Sequence, residues 1–165
     1  IQPPAFSPPA GDEAVTEFRI LGEPDRDGEG LDRLQFASSS HVSFQRPPGA
    51  GISRIVYYAE AAGENGHVLR RSDRLLPLAR PEKPPPEGEP ADPVLCEHLS
   101  SVTFTFYDSD GKPGDRWDSE SAQQAYASPA AVGIALEVDI DGQARRFETT
   151  VVLPVRRGAL EAATP

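Results

Sequence analysis

The chain has 165 residues, which is enough for one ordinary domain with its own hydrophobic core. Its 26 acidic and 16 basic side chains give a formal net charge of -10. This charge argues against a nucleic-acid groove or an anionic membrane surface, because both need clustered positive charge. The 18 prolines, about twice the usual share, argue against a fold dominated by long helices.

The ends of the chain are expected to lie outside the folded domain. The sequence begins with Ile1 and contains no Met, and residues 1–12 hold four prolines, so we expect an extended lead-in that follows a removed segment. Residues 13–158 are predicted to form a single domain with an acidic, proline-rich loop at 77–93, followed by a disordered tail at 159–165. The sequence has no signal peptide and no apolar run near the roughly 18 residues that a membrane helix requires.

In chain order, the apolar pattern predicts strands. The segments with alternating, β-branched or aromatic residues are 15–21, 34–36, 52–59, 67–71 and 102–106. Residues 63–66 are rich in glycine and separate the third and fourth segments, which are therefore predicted to form a hairpin. In the fifth, Val102, Phe104 and Phe106 alternate with serine and threonine, which places three large side chains on one face of a core strand.

The clearest local prediction is a hairpin near the C terminus, where Asp141-Gly142 favours a two-residue type I′ turn. Pairing Ile140 with Gln143 then fixes the other partners, which are Leu136 with Phe147, Ile134 with Thr149, Val132 with Val151, and Glu137 with Arg146. This register collects the large apolar side chains on one face and predicts that Phe147 belongs to the core. The other face carries the charged pair and the small residues Gly133 and Ala135, which permit close approach of another element.

Two acidic turns, Asp108 to Asp115 and Asp25 to Asp32, resemble the start of a calcium loop, which needs oxygen ligands at alternate positions and a glycine. The first turn lacks a third ligand before its glycine and the glutamate that completes such a loop, and Arg26 in the second would oppose a cation. The favoured interpretation of the first is an acidic turn that closes a strand. No metal is assigned, and whether either turn binds calcium stays open.

Cys96 and His98 raise the possibility of a zinc site or a nucleophilic pair. A structural zinc site usually takes four ligands, and His41 and His67 are isolated, so Cys96 is predicted to be a small buried hydrophobe. Being the only cysteine, it cannot form an internal disulfide. The run of serines before His41, at 38–40, lacks the glycines of a nucleophile elbow.

Trp117 is the only tryptophan and lies in a polar segment. It could be exposed to hold a sugar ring or a partner, but the favoured interpretation is that it folds over the sheet edge and caps the core. No glycine loop of the phosphate-binding kind is present. The sequence therefore assigns no catalytic, cofactor-binding or metal residue, expects no cofactor, and leaves the partner-binding residues unknown.

Several short segments follow one another in a recognisable order. They are LQFAS at 34–38, IVYY at 55–58, VLRRSD at 68–73 with LLP at 75–77, LSSVTFTFYD at 99–108, WDS at 117–119, SPAAVGIAL at 128–136, and the stretch from 147 to LP at 153–154. Together they span roughly residues 18–154 and resemble the minor pseudopilin J family of bacterial type II secretion systems. The family's prepilin-peptidase cleavage site and hydrophobic N-terminal helix do not occur in the sequence.

The resemblance implies a mostly β head domain of antiparallel sheets, α+β in the full-length family, without its N-terminal stalk helix. It implies a periplasmic location with an inner-membrane anchor, and prepilin-like processing with methylation. The implied role is non-catalytic: assembly with minor pseudopilins I and K at the pseudopilus tip, which initiates the fibre and supports protein export. No small-molecule substrate and no nucleic acid is implied.

Three alternatives stay open on the sequence. A minor pilin of a type IV pilus or competence system would share the stalk and differ in its partner subunits. An extracellular ligand-binding β-sandwich would bind glycans or calcium. A hydrolase would depend on Cys96 or His98.

Overall fold

The computed structural model describes residues 18–25, 30–39, 51–63, 66–76 and 92–159. These residues form nine strands: β1 (Leu21–Glu23), β2 (Arg33–Ser38), β3 (Ser53–Ala61), β4 (His67–Leu75), β5 (Val94–Tyr107), β6 (Pro113–Gly114), β7 (Trp117–Asp118), β8 (Ala131–Ile140) and β9 (Gln143–Val152). The strands form one sheet in the order β7-β1-β2-β3-β4-β5-β8-β9, with β6 paired to β5. All of these strand pairs are antiparallel, which confirms the predicted mostly β architecture.

Several sequence predictions concern residues outside these ranges. They are the lead-in at 1–12, residues 26–29 of the acidic turn from Asp25 to Asp32, Ser40 and His41, residues 64–65 of the glycine-rich turn, the proline-rich loop at 77–93 except its last two residues, and the tail at 159–165 except its first residue. The predicted strand at 15–21 is described only from residue 18 onward. Strand β1 begins at the last residue of that prediction, because residues 18–20 make no strand ladder.

The predicted hairpin in the first half of the chain is confirmed. Strands β3 and β4 pair without interruption from Ala61 opposite His67 to Ser53 opposite Leu75, so β4 is longer than the pattern predicted. Ile55 on β3 is fully buried. The short strand predicted at 34–36 is β2, which pairs with the other edge of β3.

Strand β5 changes partner along its length. Residues from Val94 to Leu99 pair with β4, whereas residues from Leu99 to Tyr107 pair with β8. The change occurs beside His98, whose backbone has a left-handed φ of 54° and where the pairing shifts register. Because a bulge bends its strand, the second half of β5 diverges from β4 and leaves one of its edges open for another segment.

The segment just before β2 occupies that open edge. The amide of Val102 donates to the carbonyl of Gly30 at 2.7 Å, and the amide of Asp32 donates to the carbonyl of Val102 at 2.9 Å. The buried carboxylate of Asp32 accepts from the amide of Phe104 at 2.9 Å and from that of Asp25 at 3.1 Å. A side chain thus substitutes for a missing strand neighbour, and the sheet curls so that β1 and β2 approach β5.

Replacing Asp32 by alanine should lower the free energy of unfolding by about 1–3 kcal/mol, because the buried amide of Phe104 would lose its acceptor. Urea denaturation of the purified domain measures this. The control is Asp110→Ala, which removes the same charge from an exposed turn residue and should change stability by less than about 0.5 kcal/mol. Equal losses for the two variants would contradict a structural role for the Asp32 carboxylate.

The centre of the core lies where β5, β1 and β7 meet. Val102, Phe104 and Phe106 are 0%, 4% and 1% exposed, which confirms the predicted core strand. The ring of Phe106 lies directly on Gly22 of β1, where an added Cβ would stand 1.9 Å from Cζ of the ring. Trp117 is also buried, with its ring centroid 6.4 Å from that of Phe106. The prediction that Trp117 caps the core is therefore confirmed.

The C-terminal hairpin has the predicted register at every position, from Ile140 opposite Gln143 to Val132 opposite Val151. The prediction that Phe147 belongs to the core is wrong, because its side chain is 54% exposed. Strand β9 is an edge strand of the described sheet, and none of its residues is covered. The register decides which face Phe147 occupies, but the packed core extends along that face only as far as β8.

The opposite face of the hairpin also differs in detail. Glu137 and Arg146 are opposite each other as predicted, yet Arg146 donates to Glu148 on its own strand at 2.6 Å. Both of these side chains are about 60% exposed and contribute little to stability. Gly133 is buried under Tyr107, whose ring would lie 3.3 Å from an added Cβ, so a neighbouring side chain covers this small residue.

Candidate interaction site

Cys96 and His98 do not form a reactive pair in the structure. Cys96 is half-buried and its thiol donates to the carbonyl of Glu97 at 3.4 Å, whereas His98 is exposed at the bulge of β5. Burial, and then the charge of Glu97, raise the pKa of the Cys96 thiol. A raised pKa keeps the thiol protonated at neutral pH and weakens it as a nucleophile. Cys96 also packs against the core cluster, as predicted for a small hydrophobe, but it is only half-buried.

The acidic turn after β5 uses its first carboxylate internally. One oxygen of Asp108 accepts from the amides of Asp110 and Lys112, both at 2.9 Å, and Gly111 supplies the left-handed conformation of the turn at φ 79°. This geometry confirms the interpretation as a turn that closes the strand. Among the described residues, no three histidine, cysteine or acidic side chains lie close enough together to hold a metal ion.

A groove with a volume of about 720 Å³ lies at the end of the sheet where β5 and β9 finish. Its walls are formed by residues of the segments 108–117, 123–130 and 156–159, and we call it the cationic groove. The hydrogen-bonding register explains why these segments meet. Tyr107 pairs with Ala131, and Ala131 pairs with Val152, so the turn after β5 and the chain after β9 leave the sheet at the same end, with the start of β8 between them.

The wall at 123–130 is held in a costly backbone conformation. Ala125 and Tyr126 both have left-handed φ values, 48° and 58°, which are unfavourable for residues other than glycine. The guanidinium of Arg157 donates to the carbonyls of Tyr126 and Ser119 and pairs with Glu120 at 2.9 Å. Such a network preorganises the wall.

A second set of contacts holds the same wall from both ends. The amide of Ser128 donates to the carbonyl of Arg157 at 2.9 Å, and the amide of Arg157 donates to the Ser128 hydroxyl at 3.2 Å. The indole Nε1 of Trp117 donates to the carbonyl of Ala127 at 3.0 Å. Trp117 therefore caps the core with one side of its ring system and lines the groove as well.

The groove is positively charged on an acidic protein. Of the five charged side chains that line it in the described part of the chain, four are basic: Lys112, Arg116, Arg156 and Arg157. The first three are exposed, and within the described ranges their side chains have neither a hydrogen bond nor an ion pair. Among the described lining residues the one acidic side chain, Asp108, accepts hydrogen bonds from two amides of its own turn. The groove is therefore suited to a ligand that brings negative charge.

An apolar strip lies on the hairpin. Phe147 and Val151 of β9 are 54% and 46% exposed, and they continue the face on which Leu136 and Ile134 pack against the core. We call these four residues the hairpin strip. The outer edge of β9 is unpaired within the described sheet, so an apolar surface and free backbone groups occur together.

Neither surface was assigned from the sequence. The residues of the cationic groove lie in three separate segments of the chain, and nothing in their local pattern marks them as neighbours. The sequence pattern predicts the apolar face of the hairpin strip but assigns it to the core. The sequence does predict one part of the position of the groove. The predicted register places Val132 opposite Val151, and hence the end of β9 beside the start of β8.

A comparison with models of protein families identifies a family that matches most of the chain. Residues 4–150 match the family model described as type II secretion system protein J. No curated protein is similar enough to the chain to add to this match. In the part of the chain that the structure describes, no helix has both the length and the apolar character that crossing a membrane would need. Because the match covers most of the chain, and the β-rich architecture agrees with it, this protein belongs to the protein J family of type II secretion systems.

Proposed function

We propose that this chain is a non-catalytic minor pseudopilin that assembles with minor pseudopilins I and K at the tip of the type II pseudopilus. Its head domain would be in the periplasm, anchored by an N-terminal helix in the inner membrane, and its assembly would initiate the fibre and support protein export. The observation that carries the proposal is the family match over residues 4–150. This family consists of structural components of the secretion system, and the match favours that system over a type IV pilus or a competence system.

The hairpin strip supports action through subunit contacts. Aromatic side chains at apolar, partly covered positions contribute strongly when an interface buries them. Phe147 combines such a side chain with a position beside an unpaired strand edge. We propose that a neighbouring pseudopilin covers this strip.

The experiment is co-purification of the chain with minor pseudopilins I and K, followed by measurement of the dissociation constant. Phe147→Ala should weaken the complex about tenfold or more while the domain stays folded, because it removes an exposed aromatic anchor. The matched control is Val152→Ala, five positions along the same strand on the opposite face and 69% exposed, which should leave affinity within about twofold.

Each negative result has a distinct meaning. If neither I nor K binds the wild-type chain, the proposed assembly is wrong. If the complex forms and Phe147→Ala binds as tightly as the wild type, the subunits meet on another surface. Co-purification with type IV pilus subunits instead would support the alternative of a minor pilin.

A further inference from the structure

We infer that the cationic groove binds an extended, acidic polypeptide segment of a partner protein. This inference rests on the proposed function in one respect, namely that the chain acts through protein partners. It names the chemistry of one such contact: carboxylate side chains of the partner against Lys112, Arg116 and Arg156, with the partner's backbone and small side chains against the apolar part of the groove.

The charge arrangement is the first argument. Three exposed cations line one groove without an acidic partner in the described part of the chain, although acidic residues outnumber basic ones by 26 to 16 in the whole sequence. Exposed cations that have no acidic partner attract an approaching carboxylate. The remaining lining cation, Arg157, is committed to the wall through Glu120 and two carbonyls.

The shape and lining of the groove favour a polypeptide. Trp117, Pro113 and several alanines provide apolar surface between the cations, which suits the mixed surface of a peptide. A long polyanion such as nucleic acid would gain from the same cations but would be repelled by the rest of a chain with a net charge of -10. A short acidic segment can enter the groove without bringing its charge near the remaining acidic surface.

The rigidity of the wall is the second, independent argument. Two successive left-handed residues, Ala125 and Tyr126, are maintained at a free-energy cost by Arg157, Ser128 and Trp117. A groove that is already formed before binding loses less conformational entropy when a flexible segment enters it. The network therefore favours capture of an extended segment by a fixed surface.

The experiment measures binding of a synthetic peptide with alternating glutamate and alanine to the full chain. The single tryptophan, Trp117, lines the groove, so its fluorescence reports occupancy without a label. We expect a saturable change with the glutamate peptide that weakens as salt is added, and no change with the peptide in which glutamine replaces glutamate.

Two charge-matched double variants test the location. Arg116→Ala/Arg156→Ala removes two groove cations, and Arg33→Ala/Arg145→Ala removes two exposed cations elsewhere, so both lower the net charge equally. The groove variant should lose affinity about tenfold or more, and the control should stay within about twofold. Since all four side chains are exposed, melting temperatures should remain near that of the wild type.

Three results would overturn the inference. They are the absence of saturable binding, equal binding of the glutamine peptide, and equal weakening by the two double variants. If a single-stranded DNA of matched charge binds more tightly than the glutamate peptide, the groove is a polyanion site and the inference is also overturned. None of these results depends on minor pseudopilins I and K. The inference can therefore fail while the proposed assembly stands, and the proposed assembly can fail while the inference stands.

Discussion

Replacing Gly22 by alanine is expected to lower the free energy of unfolding by about 3 kcal/mol, at the upper end of what overpacking a core usually costs. The new Cβ would lie 1.9, 2.3 and 2.9 Å from three atoms of the Phe106 ring. That ring is 1% exposed and has Trp117 beside it, so it cannot move aside without disturbing the core. The φ of Gly22 is not in the left-handed region, so the loss is purely steric. Urea or thermal denaturation measures it.

The control for this variant is Gly158→Ala, whose added Cβ meets no atom within 4 Å and should leave stability within about 0.5 kcal/mol of the wild type. A second test combines Gly22→Ala with Phe106→Leu. The smaller side chain makes room for the new methyl group, so the double variant should lose less stability than the sum of the two single variants. Strict additivity would show that Gly22 and Phe106 are not in contact.

Phe106→Ala is expected to cost about 3–5 kcal/mol, and Phe147→Ala only about 1 kcal/mol. The two side chains point to the same face of the sheet, because Phe106 is opposite Val132, Val132 is opposite Val151, and Val151 lies four residues along β9 from Phe147. They differ in solvent exposure, because Phe106 is 1% exposed and Phe147 is 54% exposed. Truncating the buried ring leaves a cavity, whereas water already surrounds half of the other ring.

Denaturant titration of the two phenylalanine variants under identical conditions measures the difference. Val152→Ala serves as a baseline for an exposed apolar side chain on the same strand as Phe147. If Phe147→Ala lowers the free energy of unfolding by about 3 kcal/mol or more, Phe147 belongs to the core of the isolated chain after all. A loss below about 1 kcal/mol for Phe106→Ala would contradict the packing around Gly22.

The sequence predicted strands and register well wherever a local rule applied. The Asp141-Gly142 turn fixed a two-residue connection, and alternation of side chains then determined every pair from Ile140 to Val132. It predicted the core strand through Val102, Phe104 and Phe106 for the same reason. It could not predict where the core ends, because alternation identifies a face but not the neighbour that covers it. Phe147 shows this limit.

The curl of the sheet was not predictable in the same way. It depends on the bulge at His98 and on Asp32, whose carboxylate replaces a strand partner for Phe104. A histidine at a bulge and a buried aspartate have no sequence signal that separates them from exposed polar residues. The cationic groove depends in turn on the strand order, since pairing of both strands with β8 at Ala131 brings the ends of β5 and β9 to the same end of the sheet.

The contact between Asp32 and Phe104 also determines when this protein can fold during synthesis. It joins residues 72 positions apart, and the ion pair of Arg19 with Asp118 joins residues 99 positions apart. Contacts so distant in sequence require closure of long loops and slow the folding of small domains. A nascent chain released before Asp118 has emerged would leave β1 without β7 on one edge. Strands β2, β3 and β4 pair in succession within residues 33–75, but β1 must wait for β7. Truncations that remove Asp118 should therefore leave one edge of β1 unpaired.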